Sequence, residues 1–230
     1  MGRILLGALC AAAAVTCSPA AAEPAPVASA GPAIIVTANA GPNMLGTIAL
    51  PIRAARFAES WARASADATR SPELQRMIAP GRAMGRLQKV NFVQAAVHAR
   101  VRWMSDATQW GQHDYWATAE QTLAKGAGDM EDRAIVKMQA LRALGFDHRD
   151  LFLTLGRDRV GGPITVLMVR IDDRYFMVDD TGGPATLLDR RGFEFQPQLS
   201  FGSAGSWIHA RKIPAKRTAA AISAASASRN

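Results

Sequence analysis

The sequence predicts an α+β domain with helices packed on a small antiparallel sheet. Apolar residues recur at three- and four-residue steps through much of the chain up to Leu144, as on the buried face of a helix. Beyond Gly145 the apolar runs shorten to strand length, separated by turns at Gly161-Gly162, Asp172-Asp173 and Gly182-Gly183. Helices first and hairpin-sized strands afterwards give that class.

In order along the chain, residues 1–22 read as a secretory signal. Arg3 is the basic start, Ile4 to Val15 the apolar core and Ala20-Ala21-Ala22 the small-residue cleavage site. A lipid-modified start at Cys17 is the rival reading. Residues 23–45, rich in Ala, Pro and Gly, are expected to be a flexible lead-in to a domain over 46–213, and 214–230 a disordered basic tail.

Within the domain, Arg53 to Ala64 can form a short helix burying Phe57 and Trp61. Ser71-Pro72-Glu73 starts a second, with Ser as N-cap and Pro in the first turn, and Pro80-Gly81 ends it. Leu87, Val90, Val93, Val97 and Val101 mark one face of a longer helix over about 85–104. Residues 105–120 read as an aromatic loop. Asp129 caps a helix from Met130 to about Leu144, closed by Gly145. Strands are expected at 151–155, 164–170, 175–179 and 186–188.

Composition narrows the chemistry. Both cysteines, Cys10 and Cys17, lie in the predicted signal, so the mature chain has no thiol for a disulfide, a thiolate metal site or thiolate catalysis. The net charge of +8 suits anionic envelope partners, although a solvated basic surface is the plainer reading. No nucleic-acid motif is present, and no later segment is long and apolar enough to span a membrane. The four histidines have no zinc-ligand spacing.

Three segments carry a family resemblance. They are Lys89-Val90-Asn91 with Trp103, Asp106 and Trp110; Trp116 to Leu123 running into Gly128-Asp129-Met130-Glu131-Asp132 and Ala134 to Lys137; and Ile164 to Leu167 with Tyr175 and Val178-Asp179-Asp180. Together they resemble the bacterial transglutaminase-like cysteine proteinases, which include the LapG-type periplasmic proteases. The resemblance implies a papain-like, transglutaminase-like fold with a cysteine nucleophile at a helix start, and a histidine base and orienting acid on neighbouring strands. It puts the nucleophile position at Met130, the base at Ile164 and the acid at Asp179. A thioether has no ionisable proton and isoleucine cannot accept one, so catalysis by this route is expected to be lost.

The same resemblance implies calcium held by Asp129, Glu131 and Asp132, since clustered carboxylates suit a hard cation. Acids at an N-cap and in the first turn are also ordinary helix stabilisation, and both readings stand. Met130 with Ala134, Met138 and Leu141 forms an apolar helical stripe, which reads most simply as core with Ile164 packed on it. The sharper alternative is an apolar groove lined by Trp110, Trp116, Met130 and Ile164 that takes a ligand or peptide side chain.

The expected function is therefore a non-catalytic periplasmic or secreted module that binds an envelope protein. The alternative is a peptidase or acyltransferase with a relocated hydroxyl nucleophile.

Overall fold

The computed structural model describes residues 41–191 and 195–211 of the 230. The predicted signal, most of the lead-in and the basic tail lie outside the described residues. The helices are α1 (Ala58–Ser65), α2 (Pro72–Ile78), α3 (Arg86–Arg100), α4 (Asp106–Trp110), α5 (Ala119–Lys125) and α6 (Met130–Ala143). The strands are β1 (Thr47–Ile52), β2 (Arg102–Trp103), β3 (Ala127–Gly128), β4 (Leu151–Asp158), β5 (Pro163–Ile171), β6 (Arg174–Val178), β7 (Thr186–Leu187), β8 (Phe195–Gly202) and β9 (Gly205–Arg211). No helix among these residues is long and apolar enough to cross a membrane.

Seven strands form one antiparallel sheet in the order β1-β9-β8-β4-β5-β6-β7, while β2 and β3 make a short parallel pair. The β5–β6 hairpin turns at Asp172 and Asp173, both at positive φ (49° and 58°), a primed turn that matches the twist of its strands.

Alternation on the central strands divides the core in two. Leu153, Leu167, Val169 and Val178 face the helices and join the larger cluster with Ile135, Met138 and Leu141 of α6. Phe152, Val166, Met168 and Met177 face the other way and pack with Met44, Phe195 and Trp207. Helix α6 is buried from Asp132 through Leu141 and is the axis of the domain. Its start is fixed by the Asp129 cap, whose carboxylate accepts from Asp132 N at 3.3 Å, and its end by Gly145 at φ 90°.

Several expectations are corrected. The long helix stops at Arg100, because Val101 turns extended and β2 pairs with β3. The stretch 105–120 holds α4 and the start of α5, the latter closed by a Thr118/Gln121 capping box. The folded body begins before residue 46, since Met44 is 3% exposed in the second cluster. Strands β1, β8 and β9 were not expected.

The outer border of β1 is finished locally. Thr47 N donates to Met44 O at 2.9 Å and Ala49 N to the Asn43 side chain at 2.8 Å. Pro51, next in the alternation, has no N–H.

Candidate functional site

The start of α6 is where the sequence concentrates its chemistry, and three elements meet there. Asp106 opens α4, while Asp129 and Asp132 lie on the cap and first turn of α6. One carboxylate oxygen from each lies within 4.8 Å of the others. Each acid spends its other oxygen, or a bond of its own, on local structure. Asp106 Oδ2 accepts from Tyr115 N at 2.6 Å, Asp132 Oδ1 from Ala117 N at 2.8 Å, and Asp129 Oδ1 from Asp132 N.

What remains points inward. Asp106 Oδ1 and Asp132 Oδ2 are buried without a hydrogen-bond partner, and no Lys, Arg or His pairs with any of the three acids among the described residues. Gly128 makes the approach feasible: a Cβ there would sit 2.7 Å from Asp132 Oδ2. Burial first, then the neighbouring negative charges, pushes Asp129 up to about 9 and Asp132 up to about 7. Asp106 is raised as well, chiefly by burial. At such separations each pair of ionised acids repels by about 3 kcal/mol at an effective dielectric of ~20. Bare convergent oxygens, no counter-charge and a glycine-made space fit a hard divalent cation.

Glu131 goes elsewhere. Its Oε1 accepts from Thr165 Oγ1 at 2.6 Å. Successive residues on a helix diverge by about 100°, so 131 turns to the sheet while 132 turns to α4. The structure thus joins Asp129 and Asp132 with Asp106, a residue outside the expected ligand set, and leaves Glu131 on β5.

The three positions matched to a catalytic triad do not converge as expected. Met130 is half-buried at the helix start and belongs to neither apolar cluster, so it is not the core residue its stripe suggested. Ile164 packs with the second cluster, on the sheet face away from α6, and Thr165 is the residue that meets α6. Trp116 is 1% exposed and stacks on Phe57 at 5.6 Å, inside the core. A common groove of Trp110, Trp116, Met130 and Ile164 is therefore not assembled. Instead Ile164 and Asp179 line a cleft of about 480 Å³ with Met177, Thr181 and Phe195.

Asp179 is engaged in holding its own corner. Its Oδ1 accepts from Thr181 N at 3.0 Å and Thr181 Oγ1 at 2.6 Å. Its backbone oxygen accepts from Gln94 Nε2 at 3.0 Å and from Lys137 Nζ at 2.7 Å. Next to it, Arg133 Nη1 reaches both oxygens of Asp180 at 2.9 Å, while its Nε and Nη2 donate to Val101 O. Burial draws Lys137 down to about 8 against the pull of Asp180 and Asp179.

One hydroxyl–imidazole pair escaped sequence reasoning. Ser200 Oγ lies 2.8 Å from His209 Nε2, and His209 Nδ1 lies 3.0 Å from Thr47 Oγ1. Thr47 donates its hydroxyl proton to Met44 O at 2.7 Å, so it accepts from Nδ1–H and leaves Nε2 to accept from Ser200. The pair has the bond pattern of an activated serine, but Ser200 is 0% exposed and also bonded to Thr154 at 2.9 Å. It is a polar rung across four strands, closed to any substrate.

Residues 46–213 match the family model of bacterial transglutaminase-like cysteine proteinase. LapG of Legionella pneumophila is 20% identical over 59% of this chain and 75% of its own, with a TM-score of 0.51. The EGTA-treated form of that protein gives the same identity and TM-score over 59% and 73%. Its calcium-bound form gives 19% identity and a TM-score of 0.44 over 59% and 87%. No curated protein sequence matches the chain significantly. With this α+β, papain-like architecture and a family match over residues 46–213, the chain belongs to the bacterial transglutaminase-like cysteine proteinase family.

Proposed function

We propose that this chain is an exported, non-catalytic member of its family, a calcium-dependent module that binds a protein partner in the cell envelope. The observation that carries the reading is Met130: a half-buried thioether at the helix start to which the family resemblance assigns the nucleophile, in a chain with no cysteine beyond Cys17. The imidazole is missing too. Ile164 points away from α6, and Thr165, which points toward it, is bonded to a carboxylate. A Thr–Glu pair lacks the base strength to generate an alkoxide at neutral pH.

Calcium is assigned to Asp106, Asp129 and Asp132 on the fit of their bare oxygens. Bound there, it would supply positive charge to a buried cluster that has no other counter-ion among the described residues. The surrounding scaffold is meanwhile firmly held, with Asp179 and Asp180 braced by α3 and α6. A site that keeps its frame after losing its reactive groups suits binding better than turnover. The apolar signal at residues 4–15 supports export.

The test is a pull-down from envelope extract in calcium and in chelator, beside a peptide-hydrolysis assay read by mass spectrometry. A partner recovered only with calcium and no cleavage product is expected. Cleavage that disappears on substitution of one Ser or Thr would overturn the non-catalytic reading.

A further inference from the structure

We infer that the outer edge of β2, centred on Trp103 and flanked by Arg100 and Arg102, is a strip on which an extended acidic segment of a partner protein docks, its carboxylates alternating with apolar side chains. The inference rests on the protein-binding reading above and supplies the surface and the partner's chemistry.

Trp103 is 60% exposed, on a strand of only two residues. Its backbone is open as well. Arg102 N donates to Gly126 O at 3.0 Å and Met104 N to Gly128 O at 3.1 Å, so the residue between them turns its N–H and C=O away from β3. Neither group has a hydrogen bond among the described residues. One step back along the chain that side is filled, since Val101 O accepts from Arg133 Nε at 2.9 Å and Nη2 at 2.6 Å. The edge opens at Trp103.

The charge around that opening is one-sided. From Leu74 to Ser105 the chain holds six arginines and lysines and no Asp or Glu. Arg86 and Lys89 are engaged, with Asp150 and with Leu144 O. Arg100 and Arg102 are exposed, and their guanidinium groups have neither an ion pair nor a hydrogen bond among the described residues. The acids near β2 do not take them: Asp106 and Asp132 are buried, and Asp180 is held by Arg133.

These groups select the partner's chemistry. One residue laid antiparallel against Trp103 exchanges both backbone bonds with it, and its side chain then lies beside the indole. The residues before and after it project to the other face, which Arg102 shares by alternation, and a carboxylate there accepts two N–H bonds from the guanidinium fork. An anionic lipid surface would meet the arginines and the indole, but it has no donor and acceptor spaced for the Trp103 backbone. Tryptophan and arginine are also the residue types on which binding energy concentrates at protein interfaces.

The experiment is a heteronuclear NMR titration of the full mature chain in calcium chloride with three synthetic peptides. They are acetyl-Glu-Val-Glu-Val-Glu-Val-Glu-amide, its analogue N-methylated at every valine, and the peptide with lysine in place of each glutamate. The acidic peptide should bind saturably and shift the Trp103 amide and indole signals. The lysine peptide should bind about tenfold more weakly or worse, and the methylated one several-fold more weakly. Arg100→Gln combined with Arg102→Gln should cost the acidic peptide about tenfold in affinity. Equal binding of the three peptides, or equal binding of the acidic one by wild type and double variant, would overturn the strip. So would retention on phosphatidylglycerol vesicles that the double variant loses, with no peptide bound. The envelope pull-down in calcium separates this inference from the reading beneath it. A partner captured equally by wild type and double variant would overturn the strip and leave the binding module standing. No partner for either, with no peptide bound, would overturn both. Should the double variant fail to fold, the three peptides on the wild type decide alone.

Discussion

Thr165 Oγ1 donates to Glu131 Oε1 at 2.6 Å, and this bond seats Thr165, not Ile164, against the first turn of α6. Met130→Cys alone should therefore yield a thiol without a base, surrounded by carboxylates that disfavour a thiolate. Its alkylation–pH midpoint should lie at or above the usual ~8.5. Adding Thr165→His should lower that midpoint by about one unit or more, and adding Ile164→His should not. An equal drop with Ile164→His would place the imidazole seat on the other face of β5.

Calcium should raise the melting temperature, with magnesium far weaker. At a hundredfold excess over its dissociation constant, a native-state ligand adds about 2.7 kcal/mol. For a domain of this size that is roughly 5–10 °C. Asp129→Ala or Asp132→Ala should abolish the rise, whereas Glu131→Gln should keep it, because Glu131 is bonded to β5. Loss of the response in Glu131→Gln would restore it to the ligand set.

The pH profile should differ with and without metal. His209, pulled down from 6.5 to about 4 by burial, is neutral when folded. Its contribution is complete above about 6.5 and is lost as pH falls toward 4. The cluster acids act in the opposite sense. Asp129 and Asp132 take up protons on folding, so the chelated protein should lose stability as pH rises from about 4 through 9. Saturating calcium should remove that alkaline loss. His209→Gln in calcium should then flatten the acid side, read by denaturant midpoints across pH.

Arg133→Met should cost about 2–4 kcal/mol in urea unfolding. It strands Asp180 and leaves Val101 O without its two donors. A cost under about 1 kcal/mol would mean that this corner relaxes around the loss.

Much of the helical half was legible. Pro72 and Asp129 announce helix starts by local chemistry, and Gly145 announces an end, so α2 and α6 fall where expected. The failures have tertiary causes. Val101 continues the apolar repeat of α3, yet β2 is claimed by pairing with β3, a partner 25 positions on at Ala127. Pro197 disguises β8 as a non-strand, and the sheet accommodates it opposite Gly156 where the β4–β8 register shifts. Asp106 could not be joined to the acid cluster from its spacing, since only the return of α4 onto α6 brings it to Asp129. His209 read as an approach to the tail because nothing local marks β9.

The border of β1 has a consequence for how this protein can meet others. An extended segment joining a sheet needs donors as well as acceptors along the rim, and here the donors at 47 and 49 are already spent and Pro51 supplies none. Neither a passing unfolded chain nor a second copy can zip onto that rim in register. Recognition by backbone mimicry is closed on this side of the sheet, and a companion that meets it there must be chosen by side chains.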